Sequence, residues 1–155
     1  MLDDHKETHR SHPFEKFLSI VNAILCMIIC LRIAQTIGTD LFPLPGLYLI
    51  ELIIVSAAVV FVIFQKHSGG VQDWDVMIWA AAGIFLSFSI LGAWSIGFFF
   101  LPSALLLLLL GVLSDLRRGR KFLIHAGLGL LAGAFQAAIM LSAIHVLYPN
   151  AFSTG

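Results

Sequence analysis

The sequence predicts an all-α integral membrane protein, a five-transmembrane-helix bundle with short loops, and three observations carry that expectation. Of its 155 residues, 59% are hydrophobic and only 12% charged, with a mean hydropathy of +0.97, whereas soluble domains carry about a quarter charged residues. Apolar runs recur at the length of a membrane span, for which about 20 residues suffice. The third observation is the apolar stretch 76–116, which as one helix would reach roughly 60 Å, about twice the hydrocarbon thickness of a bilayer. It must turn round, and Gly92-Ala-Trp-Ser-Ile-Gly97 is where it is expected to do so.

In chain order, residues 1–13 form a polar tail with nothing to bury. His5, His9 and His12 stand there among Asp3, Asp4 and Glu7, but their spacing fits no zinc signature and no metal is expected. The first span covers 14–33. Lys16 before an apolar run resembles a secretory signal, but the acids that precede it and the want of a small-residue cleavage pattern after it predict a retained span. Its interior polar groups are Ser19 and Asn22, and Arg32 stands at its far end. Cys26 and Cys30, at i, i+4 spacing, are expected to act as small hydrophobes.

Two prolines and two glycines between Gly38 and Gly46 favour a turn. The second span, 47–64, carries Glu51 one turn in. A polar loop with Gly69-Gly70 follows, and Asp73 and Asp75 complement the positive end of the third helix, 76–91. Ala80, Ala81, Ala82, Gly83, Ser87 and Ser89 predict that this third span packs closely. The fourth, 97–116, has Pro102 near its start, where a missing amide is tolerated. Its six leucines, Leu105 to Leu110, predict a lipid-facing arm. The fifth runs over 122–148, and 149–155 form a short tail.

Five spans put Lys6, Arg10, Lys16, Lys66, Arg117, Arg118, Arg120 and Lys121 on one side and leave only Arg32 on the other. The positive-inside rule then predicts a cytoplasmic N-terminus and Arg117–Lys121 loop and an outward C-terminus, in a bacterial-type cell membrane. Phe14, Trp74, Trp79 and Phe122 are expected near one interface, and Tyr48, Trp94 and Tyr148 near the other.

A candidate intramembrane polar site consists of Arg32, Glu51, Gln136 and Asn22. Arg32 and Glu51 sit near the outer ends of consecutive antiparallel spans, so they are expected in contact or bridged by water, as a structural ion pair or as part of an ion or substrate path. Gln136, near mid-membrane, needs a partner, with Asn22, Ser87 or Ser89 as candidates. Gly129, Gly133 and Ala137 allow close helix packing, expected inside the bundle, beside a stripe of Ala134, Ala138 and Ser142. Arg117, Arg118, Arg120 and Lys121 would attract anionic lipid headgroups at about 1 kcal/mol each, although fixing topology suffices to explain them. His125 and His145, about 30 Å apart on one helix, are expected at opposite interfaces.

No nucleotide-binding, zinc-protease or serine-hydrolase motif occurs, and no inverted repeat is evident. The expectation is therefore a non-enzyme without cofactor, with the lipid bilayer and a membrane-protein partner or second copy as its contacts. No extended basic face suits nucleic acid. The best functional reading is an accessory, assembly or interaction subunit of a membrane complex. The alternative is a small oligomeric transporter or channel using Arg32 and Glu51.

Overall fold

The computed structural model describes residues 13–38, 44–65, 74–92, 96–118 and 122–147. The tail expected at 1–13, apart from Pro13, which begins the first helix, the tail expected at 149–155, the Gly69-Gly70 turn, Asp73, Trp94, Arg120, Lys121 and Tyr148 lie outside them, as do the side chains of Trp74 and Arg118. Five α-helices form the described chain: α1 Pro13–Ile37, α2 Leu44–Gln65, α3 Trp74–Leu91, α4 Leu101–Arg118 and α5 Phe122–Leu147, with a 3-10 turn at Gly97–Phe100 leading into α4. Four stretches, three of them in α1, α2 and α5 and the fourth formed by the 3-10 turn with α4, are long and apolar enough to cross a membrane, and α3 is a shorter apolar helix. Its 18 residues reach about 27 Å, close to the hydrocarbon thickness.

Two helix ends lie three or four residues from where they are expected, and the others within two when the 3-10 turn is counted as the start of the fourth span. α1 continues four residues past 33 and stops at Gly38, whose φ of 62° is the left-handed conformation that ends helices and suits glycine. α2 begins at Leu44, because Pro45 falls in the first turn, where no amide is required.

Neighbouring contacts join α1 to α2, α2 to α3, α3 to α4 and α4 back to α1, a closed ring of four helices, and α5 lies outside it against α3. Helix direction alternates along the chain, so α1, α3 and α5 start at one end of the bundle, where α2 and α4 finish. Between α1 and α2 an antiparallel seam is set by Lys16 over the Phe64 ring, Asn22 on Ser56, Cys26 on the Leu52 carbonyl and Cys30 on the Leu49 carbonyl. The buried α2 positions 46, 49, 52, 56, 59 and 63 are three or four apart, with 62 beside the last of them, the spacing of a helix that keeps one face to its neighbour.

The chain reverses at Gly92 to Gly97. The Gly92 amide donates to the Phe88 carbonyl at 2.9 Å and the Gly97 amide to the Gly92 carbonyl at 2.8 Å. A Cβ on Gly92 would stand 2.8 Å from the Gly97 Cα, so the two backbones touch in a way only glycine permits. Beyond the turn, Phe100 meets Phe88 edge to face at 5.3 Å and Phe85 at 6.3 Å, and Tyr48 of α2 adds to the group at 5.9 Å from Phe88. These rings fix α4 against α3 at that end of the ring.

The expected lipid-facing leucine arm is corrected. Leu107 and Leu110 are fully buried with Ala104, Ser103 and Ser114, while Leu105 and Leu109 point out. In the most apolar window of each span, 44% of residues are buried for α4 and only 17% for α5, so the fifth helix is the one most open to lipid. Leucine serves core and lipid contact equally well, so a run of leucines does not reveal which side a helix turns.

Polarity across the bundle is arranged for a membrane. Phe17, Ile54, Leu123, Leu130, Leu131 and Phe135 are exposed, whereas the buried face of α1 carries Glu15, Ser19, Asn22, Cys26 and Cys30. An apolar exterior around polar interior groups is stable only where the surrounding medium is hydrocarbon.

The α3 and α5 helices run parallel and nearly touch. A Cβ on Gly83 would fall on the Gly129 carbonyl, and one on Gly133 would lie 2.8 Å from Ser87 Oγ. The Ser87 hydroxyl donates to the Gly133 carbonyl at 2.7 Å. We expect Gly83→Val to cost roughly 1–3 kcal/mol by forcing α5 away. Gly127→Ala, where a Cβ meets nothing within 4 Å, should be neutral or stabilise by up to about 1 kcal/mol through helix propensity. Unfolding followed by circular dichroism in detergent checks both.

Candidate functional site

Four acidic residues fall among the described ones, and three of them gather at the end where α1, α3 and α5 start. Asp115, near the end of α4, is 1% exposed. Its Oδ2 accepts from Trp79 Nε1 of α3 at 3.0 Å and its Oδ1 meets His125 Nδ1 of α5 at 2.8 Å. One carboxylate thus holds three helices. Gly111, one turn before Asp115, makes room for the Trp79 ring, since a Cβ there would stand 3.0 Å from its Cε2. Phe122 packs edge to face on the same indole at 5.3 Å.

Beside this group, Ser114 Oγ donates to Asp75 Oδ1 at 2.8 Å, and Arg117 Nη1 lies 3.6 Å from Glu15 Oε1. Asp75 and Glu15 are both buried, and each has further partners. Arg117 therefore ties α4 to α1 while more than a third of its side chain remains exposed to the surroundings. A carboxylate this deep is stable when hydrogen-bonded and paired, and the set satisfies that condition. Among the described residues no group of three or more histidine, cysteine or acidic side chains could hold a metal ion.

This polar end is absent from the sequence-derived site. Glu15, Asp75, Asp115 and His125 lie far apart in the chain, and nothing in their spacing shows that four helices bring them together. The available signal was topological, since alternation of spans places all four on one side.

Of the expected intramembrane site, Arg32 and Glu51 are not joined. Arg32 is exposed, and among the described residues no ion pair links the two. The seam explains this. With Cys26 opposite Leu52 and Cys30 opposite Leu49, Glu51 stands level with about residue 27 or 28, so Arg32 is roughly one helical turn, about 6 Å, further along. It is also on the outward side of α1. Hairpin connectivity fixes approximate depth but not the rotation of each helix about its axis.

Glu51 instead has Gln136 within hydrogen-bonding reach. Gln136 shares the buried face of α5 with Gly129, Gly133 and Met140, and from there reaches over to α2. Asn22 donates through Nδ2 to Ser56 Oγ at 3.3 Å, Ser87 serves the Gly133 carbonyl, and Ser89 bonds back to Phe85 within its own helix. The candidate partners of Gln136 are thus engaged elsewhere. Asn22 Oδ1, Tyr48 Oη and Ser103 Oγ are buried without a partner.

Gly129 and Gly133 face α3, with Ala137 half-buried beyond them, while Ala134, Ala138 and Ser142 are exposed. Of the basic cluster, Arg117 is described as above. His145 lies at the far end of α5 from His125.

Together the fold and these groups define a multi-helix protein of the membrane interior with a tightly bonded polar end. No family model, curated protein or solved structure matches the chain at a significant level.

We expect Asp115→Ala to destabilise the bundle by roughly 2–5 kcal/mol, because both the Trp79 indole and His125 lose their acceptor in a buried setting. Asp115→Asn, which keeps one acceptor oxygen, should cost less. Chemical unfolding in detergent, read by circular dichroism and tryptophan fluorescence, checks the order.

Proposed function

We propose that the protein is an interaction subunit of a membrane assembly and that Glu51 is the residue through which it engages its partner. The supporting observation is a contrast among acids. Glu15, Asp75 and Asp115 are buried and bonded at one end of the bundle, whereas Glu51 lies within α2, half-buried, with an amide beside it and no cation paired to it among the described residues. An ionisable group within a span is costly, on the order of 3 kcal/mol near the centre, and such groups usually face protein or a polar path. A neighbouring helix carrying a basic or amide side chain at the same depth would complete it. The chain is read as a non-enzyme whose work is contact.

In a homo-oligomer the exposed Arg32 of a second copy, about one turn further along than Glu51, would supply that cation by reaching back over this offset with its long side chain. The rival reading is a small oligomeric transporter or channel, in which the same carboxyl binds the transported ion.

Purification of the full chain in mild detergent tests the proposal. The expected result is an assembly larger than the monomer that Glu51→Gln dissociates while the thermal midpoint of the released chain is unchanged. Arg32→Gln should reproduce the effect if the partner is a second copy and leave it intact if the partner is another protein. A monomer with nothing bound overturns the proposal, and a flux in proteoliposomes abolished by Glu51→Gln, with assembly intact, favours the rival.

A further inference from the structure

The two cysteines of α1 are placed as a chelating pair. Cys26 and Cys30 lie on successive turns of one helix face, 0% and 3% exposed, with their sulfurs 4.0 Å apart and both thiols free. We propose that they form a two-coordinate site for a soft monovalent cation of the Cu(I) and Ag(I) class. This inference is independent of the role given to Glu51.

Geometry, donor chemistry and surroundings agree. Metal–sulfur bonds of about 2.3 Å put opposed sulfurs at most about 4.6 Å apart, so the existing separation needs only a slight opening, or a bent arrangement, to admit an ion. Thiolates select soft cations. Ions that require four protein ligands find no set of three or more histidine, cysteine or acidic groups among the described residues. A bond to each sulfur releases its proton, so binding one monovalent ion by two thiols liberates two protons and leaves a complex of net charge −1.

The seam can hold that charge. Ser56 stands within hydrogen-bonding reach of the Cys26 sulfur, and its own oxygen accepts from Asn22 Nδ2 at 3.3 Å. The hydroxyl proton is therefore free to point at a thiolate. Little is lost when the thiols give up their protons. The S–H contacts to the Leu52 and Leu49 carbonyls are 3.7 and 3.8 Å long, weak by nature, and both carbonyls lie inside α2, where the helix ladder already occupies them.

The test uses the reduced, detergent-solubilised full chain titrated with silver nitrate. One ion should bind per chain, with a thiolate-to-metal absorption band, release of two protons and a raised thermal midpoint. Cys26→Ser and Cys30→Ser should each fall to the affinity of the double variant, and Ser56→Ala should weaken binding about 10-fold, as loss of an outer hydrogen bond to a ligand does. Two ions per chain, undiminished binding by the double variant, or binding without release of two protons would each overturn the site. The wild-type stoichiometry and proton release decide the matter even if a variant fails to fold.

Discussion

The bundle depends on one buried carboxylate. Asp115 cannot face hydrocarbon as an ion and cannot reach bulk water from 1% exposure, so the donors must come to it. They come from different helices, Trp79 from α3 and His125 from α5, with α4 supplying the acid itself. Once these three helix ends are gathered, Asp75 and Ser114 close a second link between α3 and α4, and Arg117 draws α1 to the end of α4 through Glu15. The ring is thus fastened at one end by charge and hydrogen bonding. At the other end it is fastened by the Phe85, Phe88, Phe100 and Tyr48 rings.

This division has a physical consequence for α5. Its first turn is anchored by His125, but beyond that it holds to α3 through backbone proximity, Gly129 and Gly133 against Gly83, with the Ser87 hydroxyl bridging the two. Close approach of this kind supplies dispersion contact over a narrow strip and leaves the rest of the helix facing lipid. Gln136 continues the buried face of α5 that Gly129 and Gly133 begin, and it comes beside Glu51 of α2 although the backbones of α2 and α5 do not approach one another and α3 is the neighbour they share.

A second polarity runs inside the ring. The inward face of α1 is built from Glu15, Ser19, Asn22, Cys26 and Cys30, and its outward face from Phe17, Ile20, Ile24, Ile28 and Leu31. In water that distribution would be inverted. In hydrocarbon it is the arrangement that lets weak donors and small side chains bring α1 and α2 together without exposing a polar atom to lipid.

The amino-acid sequence by itself determined the membrane class, the five helices and the reversal at Gly92 to Gly97. Each of these rests on local quantities, the hydropathy of a stretch, its length against a bilayer and the backbone freedom of glycine, none of which needs a neighbour to be evaluated. The close-packing character of Gly83 and of Gly129 and Gly133 was legible for the same reason. What only the tertiary structure decided was rotation and proximity. Arg32 and Glu51 share a hairpin yet do not meet, because one turn of offset and an outward-facing Arg32 separate them. The leucines of α4 are half core and half surface, because an apolar side chain carries no mark of its destination. Glu15, Asp75, Asp115 and His125, far apart in the chain, become one polar cluster because burial in hydrocarbon makes each charge seek whatever donors the other helices bring to the same depth.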